Sequence, residues 1–184
     1  MTAPSDADND VDTTIRVLDS AGFAPYVDRA ADVYGAAMRR APDLVAQRRS
    51  IIIGHLDRDE FVAVTATQLR ELVGFGYGYQ GRPGDWWHDV VSGALDRRAA
   101  KRWMDDDFEV AELHVHPSHQ GRGLGRLLLQ SLLDNSTSRT VVLSTHDRQS
   151  PARELYRSFG FVDLLCDFRF PGSSEVYAIL GLER

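Results

Sequence analysis

One stretch of the sequence, residues 110–133, constrains the fold more than any other. An aliphatic and β-branched run ends at Pro117, a loop with three glycines in five positions follows, and then a leucine-rich helical pattern begins. Gly121, Gly123 and Gly125 relieve the backbone of Cβ clashes, so that consecutive N–H groups can point at one place. The start of the helix adds unpaired N–H groups and the positive end of its dipole. The sequence therefore predicts a phosphate-binding loop between a strand and a helix.

The spacing of this loop excludes two common nucleotide-binding motifs. The phosphate loop of nucleotide hydrolases closes with Gly-Lys-Ser/Thr, whereas here Gly125 is followed by Arg126 and Leu127. The dinucleotide fingerprint needs Gly-x-Gly-x-x-Gly and an acidic residue about 20 positions later. Here the glycines are spaced Gly-x-Gly-x-Gly, so a different phosphate ligand is indicated.

Two motifs carry a resemblance to a known family. The loop at residues 120–125 (QGRGLG) fits Gln/Arg-x-x-Gly-x-Gly/Ala, and residues 152–161 (ARELYRSFGF) fit Ala-x-x-Leu-Tyr-x-x-x-Gly-Phe. In these motifs and their separation the chain resembles the GCN5-related N-acetyltransferase (GNAT) superfamily. The resemblance implies transfer of the acetyl group of acetyl-CoA, the cosubstrate, to a primary amine of a small molecule or peptide by direct attack. Two alternatives stay open: a non-catalytic acyl-CoA-binding sensor or partner domain, and a transferase of a longer acyl group.

The fold class expected from the resemblance and the hydrophobic patterns is α/β (α+β). A central mixed, mostly antiparallel sheet of about six or seven strands should be splayed between strands 4 and 5 and flanked by about four or five helices. We expect a single domain over residues 13–184, a helical insertion at residues 80–107 between strands 3 and 4, and a disordered acidic tail at residues 1–12. The predicted strands are residues 14–18, 61–69, 71–79, 108–116, 140–145, 161–168 and 176–182. The predicted helices are residues 23–40, 44–56, 86–104 (one helix or a pair of helices), 124–133 and 151–159.

The resemblance also implies which residues hold the cofactor. Main-chain groups at the end of strand 4 should pair with the pantetheine amides like an added strand. Loop amides should hold the pyrophosphate, with two arginines adding charge, and Gln149 stands where many members carry an asparagine that contacts the cofactor. The predicted cofactor-binding residues are Leu113, His114, Val115, Gln120, Gly121, Arg122, Gly123, Leu124, Gly125, Arg126 and Gln149.

Three residues are the candidates for catalysis. Tyr156 matches the family tyrosine whose hydroxyl can protonate the departing CoA thiolate. Glu109 and Glu112 match two registers in which family members keep an acidic residue, so either could accept the amine proton. Residues three apart on a regular strand face opposite ways, so both glutamates can reach one site only if the strand bulges.

The acceptor site is predicted from aromatic residues outside the two motifs. In strand 3, glycines alternate with Tyr77 and Tyr79, which indicates either tight packing against the glycine face or a cleft lined by the tyrosines. Trp86 and Trp87 in the insertion offer an aromatic wall, and the nearby aspartates would favour a cationic acceptor. His114, His116 and His119 lack the further ligands that a metal site needs, so no metal is expected.

Composition limits the partners. The formal net charge of −6 argues against a nucleic-acid partner, and the single cysteine, Cys166, suits a reducing compartment. No apolar run reaches the roughly 18 residues of a membrane span, and the N-terminus lacks a signal-peptide pattern. We therefore expect a cytoplasmic protein without a membrane partner. A homodimer through the C-terminal strands is compatible with the sequence.

Overall fold

The computed structural model describes residues 13–184, so the predicted acidic tail at residues 1–12 lies outside the described residues. The strands are β1 (Thr14–Leu18), β2 (Val62–Gln68), β3 (Glu71–Gln80), β4 (Asp107–Val115), β5 (Thr140–His146), β6 (Val162–Phe168) and β7 (Tyr177–Glu183). The helices are α1 (Ser20–Phe23), α2 (Val27–Met38), α3 (Pro42–His55), α4 (Trp86–Ala94), α5 (Arg97–Trp103), α6 (Leu124–Asn135) and α7 (Pro151–Ser158), with 3₁₀ turns at Ala24–Tyr26 and Pro117–His119.

The strands form one mixed sheet in the order β1-β2-β3-β4-β5-β7-β6. Its neighbours pair antiparallel except β4 and β5, which run parallel and pair only from Asp107–Thr140 to Glu109–Val142. Beyond those three pairs, β4 stays bonded to β3 and β5 stays bonded to β7, so the sheet opens between its two central strands. The predicted fold class, including the splay between strands 4 and 5, is confirmed.

Helices cover both faces of the sheet. The first face carries α6 and α7, whose leucines and Tyr156 pack on β2, β4, β5 and β7. The opposite face carries α2 and α3 over β2 and β3, and next to them α4 and α5 over β5 and β7. The single helix predicted for residues 23–40 starts instead as α1 and a 3₁₀ turn that contains Pro25, because proline supplies no N–H for a continuous helix.

The glycine face of β3 is explained by α6. A Cβ on Gly76 would lie 3.0 Å from Leu132 Cδ1, and one on Gly74 would lie 3.1 Å from Leu128 Cδ1. The tight helix packing expected for this face is thus present, and it brings α6, with the glycine loop at its start, directly onto the middle of the sheet.

No helix within residues 13–184 combines the length and the apolar character that crossing a membrane would require.

Candidate functional site

The opening between β4 and β5 is the first element of the site. From Val110 onward one edge of β4 is paired with β3, for example at Leu113–Gly76 and His114–Phe75. The other edge of β4 is not paired with β5 over these residues. Parallel strands that part in this way leave room for an extended ligand to bond to the free edge. Leu113, His114 and Val115, predicted to bind the cofactor, lie along this edge.

The glycine loop follows directly from β4. Gly121 and Gly123 have φ of +76° and +80°, and a Cβ on either would meet no atom within 4 Å, so the need for glycine here comes from the backbone conformation. Gly123 forms the N-cap of α6 without any side-chain cap. Within residues 13–184 the amides of Leu124 and Gly125 have no backbone acceptor, so their N–H groups and the helix dipole are available for an anion.

The other predicted cofactor residues surround this loop. The side-chain amide of Gln120 donates to the Val115 carbonyl at 2.9 Å, which ties the loop to the end of β4. Arg126 donates to Ser158 Oγ at 2.6 Å, and its guanidinium lies 4.9 Å from the centre of the Phe159 ring. Arg122 and Gln149 are exposed.

A bulge in β4 brings the two glutamates together. Tyr79 pairs with Glu109 and Tyr77 pairs with Glu112, so two residues of β3 face a stretch of β4 that holds one extra residue. The required bulge is therefore present, and both carboxyl groups lie on the face covered by α2 and α3. Each glutamate is 5% exposed. Because both are equally buried, their different partners determine how the pKa of each glutamate shifts.

Glu112 is tightly paired. Arg48 Nη1 of α3 donates to Oε1 at 2.7 Å, and His114 Nε2 contacts Oε2 at 2.5 Å. Burial alone would raise the pKa of Glu112, but the hydrogen bond and charge of His114 and the charge of Arg48 outweigh it, so the pKa lies below its ordinary value. Glu112 is thus a stable carboxylate whose lone pairs are already in use.

Glu109 is the opposite case. Its Oε2 is fully buried without a hydrogen-bond partner. Burial, and then the neighbouring charge of Asp107, raise the pKa of Glu109 to about 8, although a hydrogen bond with Tyr79 acts in the other direction. Glu109 is also the last residue of β4 that pairs with β5. A carboxyl group that exchanges its proton near neutral pH therefore lies where the two strands part.

Sequence reasoning missed the α3 residues of this site. His55 Nδ1 lies 3.0 Å from the Tyr77 hydroxyl, and its Nε2 lies 3.4 Å from the Tyr79 hydroxyl. Tyr77 and Tyr79, predicted to line the acceptor site, are 0% and 3% exposed, and they pack with Phe23, Phe61 and Phe75. No periodic pattern in the sequence predicts that His55 and Arg48 face the sheet. Their contacts with Tyr77, Tyr79 and Glu112 become visible only in the folded structure.

Tyr156 lies on α7 against the first face of the sheet. Its ring packs edge-on against Phe161 at 5.7 Å. Burial, with a smaller contribution from the charge of Glu112, raises the pKa of Tyr156 well above its ordinary value, so the hydroxyl keeps its proton. The helix that carries it begins as predicted, with Ser150 Oγ accepting from the Arg153 amide and Pro151 in the first turn.

A cleft of about 820 Å³ lies beside the end of β5 and the start of the glycine loop. Arg40, after α2, forms an ion pair with Glu175, before β7, at 3.3 Å. Glu175 also accepts from the Tyr177 hydroxyl at 3.0 Å. The cleft is lined by residues 37–40, Gln120, residues 146–148, Pro151, Glu175 and Val176.

The predicted aromatic residues of the insertion do not line this cleft. Trp86 is 58% exposed and packs against Phe170 with ring centres 5.4 Å apart, and Trp87 Nε1 donates to Ser144 Oγ of β5 at 3.4 Å. Asp85, one of the aspartates expected to attract a cation, is paired with Arg58, and Asp107 is fully buried. Within residues 13–184 no group of three or more His, Cys, Asp or Glu side chains is arranged to hold a metal ion.

The sequence matches a known domain family and a curated relative. Residues 59–163 match the model of the acetyltransferase (GNAT) domain. Over 118 residues the chain is 40% identical to the GCN5-like protein acetyltransferase Rv2170 of Mycobacterium tuberculosis, in an alignment that covers 60% of this chain and 57% of that protein. The chain therefore spans little more than half the length of that relative.

Solved structures share the fold. A GNAT-family protein from Desulfovibrio desulfuricans superimposes with a TM-score of 0.67 at 17% identity, over 94% of this chain and 99% of the other. The Salmonella typhimurium protein yncA, solved with its cofactor acetyl-CoA, gives 0.63 at 18% identity, over 93% of each chain. Because the domain model matches more than half of the sequence, the chain belongs to the GNAT acetyltransferase family.

Proposed function

We propose that the chain is an N-acetyltransferase that transfers the acetyl group of acetyl-CoA to the primary amine of a peptide or small molecule. The observation that carries the proposal is the position of Glu109, whose unpartnered carboxyl oxygen lies at the end of the β4–β5 pairing. A free strand edge leads from that point to an anion-binding loop, so one extended ligand with a pyrophosphate at one end could reach it.

The residues present fit acetyl-CoA. The amides of Leu124 and Gly125 offer donors to the pyrophosphate, and exposed Arg122 adds charge beside them. The open space around Gly121 and Gly123 leaves room for phosphate oxygens close to the backbone. The edge at Leu113–Val115 offers main-chain groups to the pantetheine amides. When bound, acetyl-CoA supplies the activated acetyl thioester; the steps below concern the protein's own residues.

Glu109 takes the role of the general base. An attacking amine must lose a proton, and a base works best when its pKa lies near the working pH. The pKa of about 8 meets that condition, whereas Glu112 is held as an ion pair and has little tendency to accept a proton. Glu112 instead holds Arg48 and His114 in place beside the site.

Tyr156 takes the role of the general acid. Its raised pKa keeps the hydroxyl protonated at neutral pH, which is the state that can give a proton to a departing thiolate. The negative charge of Glu112 adds to the effect of burial on that pKa.

The acceptor would enter through the cleft that the Arg40–Glu175 ion pair lines. A relative named a protein acetyltransferase supports peptide amines as the first acceptors to test. Exposed Trp86 is a candidate acceptor contact at the edge of the insertion, whereas buried Tyr77 and Tyr79 would act on the acceptor only through other groups.

The test is release of free CoA thiol from acetyl-CoA with a panel of peptide and small-molecule amines. We expect turnover with at least one amine, a loss of at least a hundredfold in Glu109→Gln, and a clear loss in Tyr156→Phe. Tight CoA binding without thiol release on any acceptor would support the acyl-CoA sensor instead. Turnover in Glu109→Gln equal to that of the wild type would refute the assignment of the base. The same assay with longer acyl-CoA donors reports the acyl length that the site accepts.

A further inference from the structure

Three arginines line the cleft beside the proposed site. Arg39 and Arg40 directly follow α2, and Arg148 comes two residues after the end of β5. Two acidic residues, Asp147 and Glu175, line the same cleft. In a chain whose formal net charge is −6, a cleft with more arginines than acidic residues is a local exception. How much positive charge it offers to a ligand depends on which of these groups are already paired.

Both acidic residues of the cleft already have partners. Asp147 accepts a hydrogen bond from Nη1 of buried Arg153 at 2.5 Å. Glu175 accepts from the Tyr177 hydroxyl at 3.0 Å and forms an ion pair with Arg40. Arg153, which does not line the cleft, thus offsets the charge of Asp147, so the three arginines of the cleft share one acidic group.

The arginines of the cleft are free or only loosely paired. Arg39 and Arg148 are exposed, and within residues 13–184 neither guanidinium has an ion-pair partner. Nη2 of Arg40 lies 3.3 and 3.5 Å from the two carboxyl oxygens of Glu175, whereas charge-assisted pairs close to about 2.7–2.9 Å. Exposed ion pairs contribute little to stability. A carboxylate on a ligand can therefore take the place of Glu175 at Arg40 with little loss.

The end of α2 fixes the backbone positions of Arg39 and Arg40. Their amides donate to the carbonyls of Ala36 and Gly35, which is the Schellman arrangement that ends many helices. The first residue after the helix then takes the left-handed conformation, in which glycine is usual, but here it is Arg39, with φ of +51°. A side chain held in this conformation costs energy, and such strained residues cluster at functional sites.

These two arginines lie on the side of the sheet that carries the proposed base. Tyr34 of α2 packs edge-on against His114 with ring centres 5.3 Å apart, and His114 contacts Glu112. The glycine loop proposed to bind the pyrophosphate starts α6, which packs on the opposite face. The phosphates of CoA therefore have an anion site of their own, and the arginines after α2 are available to an anionic group of the acceptor.

We propose that the acceptor carries a carboxylate close to its reactive amine, and that Arg40, together with Arg39 and Arg148, recognises this carboxylate. The inference rests on the proposed function and names the class of its acceptor. A peptide with an acidic residue in second position and a free amino acid both present such a group. On binding, the carboxylate replaces Glu175 as the partner of Arg40. An acidic acceptor differs from the cationic one that the aspartates of the insertion suggest, because it follows from side chains that line the cleft.

The test uses pairs of acceptors that differ by one charge, in the assay of CoA thiol release. The first pair is the peptides Ala-Asp-Ala-Ala and Ala-Asn-Ala-Ala, both amidated at the C-terminus, and the second is alanine and alaninamide. We expect kcat/KM to be about tenfold or more higher for the acidic member of at least one pair, mainly through KM. The pair that responds tells whether the carboxylate belongs to a peptide side chain or to a free amino acid.

Variants of the cleft show whether the arginines cause this preference. Arg40→Gln should abolish it, and Arg39→Gln and Arg148→Gln should reduce it, while kcat/KM for the neutral acceptors and the affinity for CoA stay unchanged. Glu175→Gln should strengthen the preference by releasing Arg40, a gain that general damage to the fold would not produce. Arg98→Gln removes an exposed arginine of α5 that does not line the cleft, so this matched control should keep the wild-type ratio.

Two results would overturn the acidic acceptor while leaving the transferase in place. The first is equal turnover of both members of each pair, or a preference that survives Arg40→Gln, since the arginines then do not read the charge of the acceptor. The second is a weaker affinity for CoA in Arg40→Gln with an unchanged acceptor ratio, which assigns the arginines to the phosphates of the donor. Absence of thiol release with every amine is a separate failure, because it removes the proposed transferase together with its acceptor.

Discussion

Replacing Glu109 by glutamine should make the protein more stable at neutral pH while removing its proposed base. The pKa of Glu109 rises from 4.5 to about 8 on folding, so folding forces this carboxyl group to bind a proton that the unfolded chain would release. When folding raises the pKa of a group, the stability that this group contributes is fully present below its unfolded pKa and is lost as pH rises toward its folded pKa. Well between pH 4.5 and 8 the cost grows by about 1.4 kcal/mol per pH unit, and about half as fast at either pKa. It reaches about 3 kcal/mol at pH 7.

Glutamine has the shape of the protonated acid and binds no proton in this range, so the variant escapes this cost. Its new amide hydrogens add an offset that does not depend on pH, and the prediction therefore concerns the slope. Urea unfolding at pH 6, 7 and 8, all above the pI of about 5.5, should give a free-energy difference between variant and wild type that rises by about 1.3 kcal/mol from pH 6 to 7. From pH 7 to 8 it should rise by about 1 kcal/mol, because the folded carboxyl group is half ionised at its pKa of about 8.

Glu112→Gln is the matched control, since the same substitution is made three residues along the same strand. His114 and Arg48 lower the pKa of Glu112 against the effect of burial. The stability that the ionised Glu112 contributes to the fold is therefore present above the unfolded pKa and is lost only as pH falls through the folded pKa. This variant should be less stable than the wild type at all three pH values, by a constant amount. Parallel wild-type and Glu109→Gln curves from pH 6 to 8 would refute the account of Glu109 as a carboxyl group protonated by burial.

Three further predictions follow from contacts around the site. Gly78→Ala should destabilise the fold by at least about 2 kcal/mol, seen in urea unfolding, because a Cβ there would lie 2.4 Å from a carbonyl oxygen of β4; wild-type stability would contradict the packing described. Arg48→Met leaves Glu112 without one of its two partners and should cost about 3 kcal/mol, a loss that Arg48→Lys should partly recover. Gly123→Ala, at a φ of +80°, should weaken CoA binding about tenfold by calorimetry, whereas Gly125→Ala, at an ordinary φ with its nearest neighbour 3.5 Å away, should bind CoA as the wild type does.

The parts of the fold that sequence could predict are those specified by neighbours along the chain. The strand, glycine loop and helix at residues 110–133 depend on local backbone preferences, and so do the Ser150 cap and Pro151 at the start of α7. The paired insertion helices and the strand bounds follow from hydrophobic periods within a few residues of those observed.

The roles within the site could not be read in the same way. Glu109 and Glu112 are the same residue type on the same strand, and their pKa values separate only because Arg48 of α3, 64 residues away, reaches one of them. Tyr77 and Tyr79 alternate with glycines as a cleft lining would, yet α3 places His55 across both hydroxyls. Long-range packing decides these functions, and a periodic pattern records only which face a side chain is on.

The three residue pairs between β4 and β5 have a mechanical consequence. They make the sheet two leaves, β1–β4 and β5–β7, that share a short hinge. On the proposed function, acetyl-CoA occupies the gap like an added strand and connects the two parts of the sheet. A ligand present at a hundred times its dissociation constant would add about 2.7 kcal/mol to the folded state. The rigidity of the protein would then follow the supply of acetyl-CoA around it, and amide exchange along the free edge of β4 would report that supply.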